Sequence, residues 1–284
     1  MIGPAPALIH WQTIRVCAGD EASREAMVAA LIAAGAGGVE ERGQTLITHV
    51  PGGTDLSVVY SAASALTSVR IETEELGIVD WSTRWPTRVG IQRVGAITIA
   101  PPWLADEAAS EGSHLVVIEP AMAFGTGEHE TTRGVVRLLQ RTVQPGDSVA
   151  DLGAGSAVLA ICAIKLGARR AFAIEMDEDA IPNAEENTER NGVADRVAVL
   201  HGDAFSLLPV VAPVRIIVAN IISTVLVRLS PVMRGALAPR GVAILSGVLR
   251  TERSEVLGAL REDGWQCLEE DAEGDWWSGI VAPA

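Results

Sequence analysis

From about residue 113 to residue 281, short apolar runs of strand length recur with helix-length segments between most of them. The runs at 115–118, 148–152, 170–174, 197–200, 215–218 and 241–246 are nearly continuous in apolar residues. Strands buried on both faces read this way, so the pattern predicts a mainly parallel sheet covered by helices on each side. The last stretch, 264–281, holds strand-like runs able to pair antiparallel at one edge.

The first 75 residues follow a different order, β-α-β-β-α-β. A strand is expected at 13–18, then a helix capped by Asp20 and running to about residue 34, with Met27, Leu31 and Ile32 at helical spacing. Gly35, Gly37 and Gly38 stop it. Strands at 39–42 and 46–50 join across Gly43-Gln44, a second helix follows Asp55, and 69–75 closes a small α+β, ferredoxin-like unit. Between Gly77 and Trp103 three tryptophans (Trp81, Trp85, Trp103) lie among Pro86, Pro101 and Pro102, around a strand-like run at 93–100. The expected division is therefore a substrate-recognition domain at 1–75, a linker and domain entry at 76–104 and a Rossmann-like α/β domain at 105–284.

Composition narrows the function. With 22 Lys+Arg against 36 Asp+Glu the 284-residue chain has a formal charge of -14, which disfavours a protein that coats nucleic acid. No apolar run approaches the ~18 residues of a membrane span, and the first residues lack an export-signal pattern, so a cytoplasmic location is expected. Cys17, Cys162 and Cys267 are odd in number and far apart, which argues against a disulfide framework and a zinc site and reads as apolar filling. No metal is expected. Lys165 is the only lysine; Arg-rich codon usage accounts for this, as would a protein that handles lysine side chains and avoids presenting its own.

The segment Asp151-Leu152-Gly153-Ala154-Gly155-Ser156-Ala157 lies where a buried strand runs into a helix. Glycines there let a ligand approach the backbone and leave free N–H groups at the helix start. A dinucleotide fingerprint needs Gly or Ala where Val158 stands, which counts against a nicotinamide oxidoreductase. Asp151 suits a ligand with positive charge and no phosphate, and S-adenosylmethionine has both properties. Glu175 ends the next strand about twenty residues on, placed to accept from both ribose hydroxyls. Asp203, after the third strand, is a candidate at the adenine edge. Asn220 ends the fourth strand, where its amide oxygen can accept from an attacking amine. Upstream, residues 119–133 pair glycines with clustered hydroxyls in the manner of a ligand-covering flap. His129 within it reads as a structural hydrogen-bonder in preference to a general base.

These segments together carry a resemblance. EPAMAFGTGEHETTR, DLGAGSAVLA, IEMDEDAIPNAEENTERNGV and VANI are similar to the flap, glycine loop, second-strand acid with its helix, and substrate-side Asn motif of the bacterial ribosomal protein L11 methyltransferases, the PrmA family. The resemblance covers nearly the whole chain. It implies a seven-stranded class I methyltransferase domain, S-adenosylmethionine as donor, and transfer to lysine ε-amines and the N-terminal α-amine of that ribosomal protein, bound by the N-terminal domain. It implies cofactor contacts from Thr132, Gly153, Glu175 and Asn220, with Phe124, Thr126 and Gly127 lining the adjoining pocket. Asp151, Gly155 and Asp203 join the expected cofactor set, and Asn220 is the expected catalytic residue. Ala157 departs from the family's third glycine, Glu175 from its more usual Asp, and PTRVGIQ at 86–92 from its basic-aromatic linker. The expected partner is the free ribosomal protein, without direct nucleic-acid binding, and the expected state is a monomer. A methyltransferase acting on another protein, an RNA or a small molecule is the alternative, and a scaffold that has lost its donor is a further rival.

Overall fold

The computed structural model describes residues 11–36, 39–43, 45–66, 69–76, 89–109, 113–120 and 125–284. The chain divides into two compact units, Met1–Thr83 and Arg84–Ala284. In the first, β1 (Trp11–Ala18), α1 (Glu21–Ala33), β2 (Glu40–Arg42), β3 (Thr45–Pro51), α2 (Ser57–Ser64) and β4 (Val69–Leu76) build an antiparallel sheet in the order β2-β3-β1-β4. Asp20 caps α1 by accepting from the Ser23 N–H at 2.8 Å. Ile14, Val16, Leu46 and Val50 alternate onto one face of the sheet and pack with Met27, Leu31 and Val59 of the helices. Alternation also explains why Cys17 is exposed, since its neighbours Val16 and Ala18 take the inward positions.

The second unit is built on seven strands: β8 (Ser148–Leu152), β9 (Arg170–Glu175), β10 (Val197–His201), β11 (Val214–Asn220), β12 (Leu237–Leu249), β13 (Trp265–Glu273) and β14 (Trp276–Pro283). Their order is β10-β9-β8-β11-β12-β14-β13. All run parallel except β14, which pairs antiparallel with both its neighbours. One face is covered by α4 (Glu130–Thr142), α5 (Val158–Lys165) and α6 (Ile181–Arg190), the other by α7 (Ala204–Val211), α8 (Ser223–Ala236) and α9 (Arg253–Glu262). Val149, Ile216, Val218 and Ile244 enter the first core, while Ala150, Leu152, Ile217, Ala219 and Leu245 enter the second.

Two expectations need correction. The run at 115–118, read as part of the large sheet, forms β7 (His114–Val117), which pairs instead with β6 (Ile97–Ala100) in a separate three-stranded sheet completed by β5 (Gln92–Val94). Ile97 and Ile99 are fully buried there, so the strand-like run at 93–100 supplies core to the second unit, with the short α3 (Ala105–Ala108) between β6 and β7. Residues 77–88, the rest of the expected linker, lie outside the described residues. Of the cysteines, only Cys162 is an interior filler; Cys17 and Cys267 are exposed, the latter on β13 at the sheet edge.

Candidate active site

In the large sheet the chain runs outward from β8 to β9 and β10, then returns to β11 on the other side of β8. This reversal opens a crevice beyond the carboxyl ends of β8 and β11, the place where open α/β sheets take ligands. The crossover from β8 to α5 lines it. Gly153, Gly155 and Ala157 all hold positive φ, at 68°, 52° and 62°. A Cβ on Gly153 would stand 2.8 Å from the Ile221 side chain, so this position also admits the loop after Asn220. Ala157, the residue that departs from glycine, adopts the left-handed conformation and gives α5 no side-chain cap.

The missing cap comes from Asp151. Its carboxylate is buried and accepts from the Ala160 N–H, in the first turn of α5, at 3.0 Å. The other oxygen, Oδ1, is buried without a hydrogen-bond partner among the described residues. Burial pushes this carboxyl up to about 7; the Ala160 N–H opposes the shift and the charge of Glu175 adds to it.

Strand parity gathers the other polar residues. Asp151 lies level with Ala173 on β9 and Val218 on β11, and Glu175 and Asn220 each come two residues later. Side chains two apart share a face, so Glu175, Asn220 and Asp151 all face the α4–α6 side. Glu175 and Asn220 therefore flank the level of Gly153, about 10 Å apart across two strand spacings. Glu175 is buried and engaged: Oε2 accepts from Gly155 N–H at 2.8 Å, and Oε1 from the N–H groups of Met176 and Asp177 at 2.8 and 2.9 Å. Three of its roughly four lone-pair positions are thus taken, so gripping both ribose hydroxyls requires it to release at least one backbone donor. Asn220 is partly buried, and Gly247 gives its loop room, since a Cβ there would stand 2.5 Å from the Ile221 carbonyl oxygen. Asp203 is exposed and caps α7, accepting from Phe205 N–H at 3.1 Å.

The flap ends against this assembly. Gly125 and Gly127 are buried and Thr126 partly so; Phe124 lies outside the described residues. The Ser156 hydroxyl donates to the Gly125 carbonyl at 2.7 Å, tying flap to glycine loop. His129 caps α4 through Thr131 N–H and meets the Trp276 ring edge-on at 5.0 Å, a structural part. Ser246, level with Asn220 on β12, approaches the Thr131 carbonyl at 3.4 Å, which sets the first turn of α4 beside the carboxyl ends of the strands. The Thr132 hydroxyl in that turn is buried with no partner among the described residues.

One group of residues escaped the sequence reading. Asn183, Asn187 and Asn191 recur every fourth residue on or just after α6. Asn191 bonds both the N–H and the carbonyl of Val117 (2.8 and 2.7 Å), Asn187 accepts from Glu119 N–H (2.9 Å), and Asn183 donates to the Glu119 carbonyl (3.2 Å). Asn187 also donates to the Ser156 carbonyl at 3.2 Å, so one fully buried carboxamide joins the flap stem to the glycine loop. The fourfold spacing was the available signal.

A seven-stranded sheet with one reversed strand, a glycine crossover after the strand at its switch point and an acid ending the neighbouring strand defines a class I methyltransferase, whose donor is S-adenosylmethionine. The residues present fit that donor: two buried polar atoms, Thr132 Oγ1 and Asp151 Oδ1, stand without partners among the described residues around the crevice, and the turn at 151–157 contains no Lys or Arg to meet a phosphate. Comparison with known proteins is more specific. A family model described as ribosomal protein L11 methyltransferase (PrmA) matches residues 54–282. The chain is 41% identical over 214 residues to the ribosomal protein L11 methyltransferase of Pelotomaculum thermopropionicum, covering 75% of this chain and 67% of that one. With the enzyme of the same name from Thermus thermophilus it shares 41% over 203 residues, covering 72% and 77%. The crystal structure of a ribosomal protein L11 methylase from Lactobacillus delbrueckii subsp. bulgaricus superposes with a TM-score of 0.62 at 28% identity, over 68% of this chain and 98% of that one. The chain belongs to the PrmA family of ribosomal protein L11 methyltransferases.

Proposed function

We propose that this enzyme methylates amines of ribosomal protein L11, lysine ε-amines and the N-terminal α-amine, and that Asn220 orients the accepting nitrogen. The observation that carries this reading is the placement of Asn220, a carboxamide with no hydrogen bond to any described residue, flanking Gly153 opposite Glu175. When bound, S-adenosylmethionine supplies an activated methyl group on a cationic sulfur. Thr132, Asp151, Gly153, Gly155 and Glu175 would hold it, with Thr126 and Gly127 closing the adjoining wall and Asp203 at the rim. Asp151, buried and short of a partner, favours a cationic neighbour and is itself held ionised by one.

An ammonium has no lone pair to donate, and a free lysine titrates near 10.4, so the site must favour the neutral amine. Exclusion of water by the flap disfavours the charged form. The Asn220 amide oxygen accepts one N–H of the amine and points its lone pair along the line of transfer without acting as a strong base. Ile221 and Ile222 offer an apolar wall to the aliphatic stem of a lysine. The N-terminal unit is assigned to substrate recognition: residues 1–80 carry ten acids and four arginines, a balance of -6, which attracts a basic polypeptide and repels RNA. The free protein, before ribosome assembly, is therefore the preferred substrate, and the enzyme acts in the cytoplasm as a monomer.

The test is single-turnover methylation of purified L11, with sites read by mass spectrometry. Asn220→Ala is expected to lower kcat about 100-fold or more while donor affinity changes less than about threefold. Equal losses in both would remove Asn220 from the transfer step, and labelling of RNA in place of L11 would overturn the substrate assignment.

A further inference from the structure

At the opposite end of the large sheet from the crevice lies a cavity of about 650 Å³ lined by Arg215, Arg234 and Arg240, with Leu237, Pro239, Leu268 and Pro283 among its apolar walls. We propose that it binds a small phosphate-bearing organic anion of nucleotide size.

Three arginines line it, and no Asp or Glu is among the lining residues. Among the described residues none of the three has an ion-pair partner; Arg234 donates to the Asp263 backbone carbonyl, at 3.0 Å, while the Asp263 carboxylate takes the Ser230 hydroxyl. Arg215 Nη1 is buried and makes no hydrogen bond to any described residue. A charged donor removed from water without an acceptor is costly, and native proteins keep few such atoms unless a ligand or solvent completes them.

The backbone is shaped around the same place. Val214 pairs with Leu237 and Ile216 with Val242, so the register breaks at Arg215: four residues of β12, Ala238 to Gly241, stand opposite this one residue of β11 and help to line the cavity. Bulges of this kind re-aim a side chain and cluster next to sites. Arg240, within the break, holds φ at 63°, a conformation that costs free energy in a residue with a Cβ.

Guanidinium groups match the geometry of phosphate oxygens through paired N–H donors. The apolar walls add a surface for the body of an organic ligand, and the volume falls in the range of small-molecule sites. A long polyanion is disfavoured because the chain as a whole carries -14, whereas a compact one meets only the local field.

The experiment is calorimetric titration of the full chain, saturated with S-adenosylhomocysteine so that the crevice at the other end is filled. Guanosine monophosphate is the probe, with inorganic phosphate and a short RNA oligonucleotide alongside. Guanosine monophosphate should bind one-to-one with Kd below about 1 mM, more tightly than inorganic phosphate, and more weakly as salt rises. Arg215→Gln and Arg240→Asn should each weaken it at least about fivefold without changing S-adenosylhomocysteine affinity. Arg240 is exposed and Asn tolerates its backbone conformation, so this variant keeps the test valid if Arg215→Gln fails to fold. Absence of binding, or unchanged affinity in the folded variants, overturns the site. Inorganic phosphate binding as tightly as the nucleotide overturns the organic-ligand claim, and RNA binding more tightly through the same arginines overturns the small-ligand claim.

Discussion

Asp151 has one oxygen spent on the start of α5 and the other left alone, and its burial has a measurable consequence. Its folded value of about 7 lies above the unfolded value of 3.8, so between these limits the native state binds more protons than the unfolded chain. Stability attached to this group is present below about pH 4 and is lost as pH rises through about 7. Ligand-free Asp151→Asn should therefore gain on the parent as pH climbs from 4 to 8, by at most about 4 kcal/mol for three units at about 1.4 kcal/mol each. Urea midpoints at several pH values check this; a difference that does not vary with pH would mean that Asp151 stays ionised in the fold. Ala157 is a second local test. Its left-handed backbone costs about 1–2 kcal/mol, against about 0.8 kcal/mol for its buried methyl and about 0.4–1 kcal/mol for the greater unfolded-chain entropy of glycine, so Ala157→Gly should be close to neutral. Ala157→Val, β-branched in the same conformation, should lose at least about 2 kcal/mol in the same unfolding assay.

Between α4 and β13 the chain builds a ladder of charge. Arg133, Arg137 and Arg141 recur every fourth residue, a rise of about 6 Å, and meet Glu273, Asp271 and Glu269, every second residue of a strand, a rise of about 6.8 Å. The spacings match closely enough for each arginine to find its own acid, and Arg137 also reaches Glu273 at 2.8 Å. The Arg137–Asp271 pair is two-pronged, at 2.6 and 2.9 Å, with only 12% of the Asp271 side chain exposed. A double-mutant cycle with Arg137→Ala and Asp271→Ala should give a coupling of about 1–2 kcal/mol that falls as salt is added, above the usual 0–1 kcal/mol of exposed pairs. Coupling near zero would mean that the ladder only decorates the helix. The arginines of α4 recur at helical spacing, but the acids lie more than 120 residues away, and no local pattern pairs them. Asn183, Asn187 and Asn191 failed to register for the same reason. A fourfold repeat of asparagine reads as a polar helix face until the backbone of 117–119 is seen lying along it.

The molecule's two units were legible for different reasons. In the N-terminal one, strand alternation, the Asp20 cap and the glycine stops are all local, so the order of elements along the chain was readable, whereas the pairing of β1 with β3 and β4 joins residues far apart in sequence. In the C-terminal one, apolar runs and the glycine crossover marked the strands, but β7 has the same texture as the central strands while belonging to another sheet. Composition records that a strand is buried, not which strands bury it. The polar residues of the crevice were readable because strand ends at a switch point are the ligand-facing places, whereas the hydrogen bonds that already occupy Glu175 were not. Charge is the property that spans the whole chain. If the -6 of residues 1–80 draws in a basic substrate, encounter should weaken with ionic strength, because the Debye length shrinks from about 30 Å at 0.01 M to about 10 Å at 0.1 M. KM for L11 should then rise over that range while donor affinity changes little. Removal of residues 1–83, the N-terminal compact unit, separates this effect from the charge of the remainder. The shortened enzyme should bind S-adenosylhomocysteine within about threefold of the full chain and lose at least about 100-fold in kcat/KM for L11, with its salt dependence reduced as well. Retained kcat/KM would place substrate recognition in the C-terminal unit, and an unchanged salt slope after a loss of activity would leave contact, not long-range charge, as the work of the N-terminal lobe.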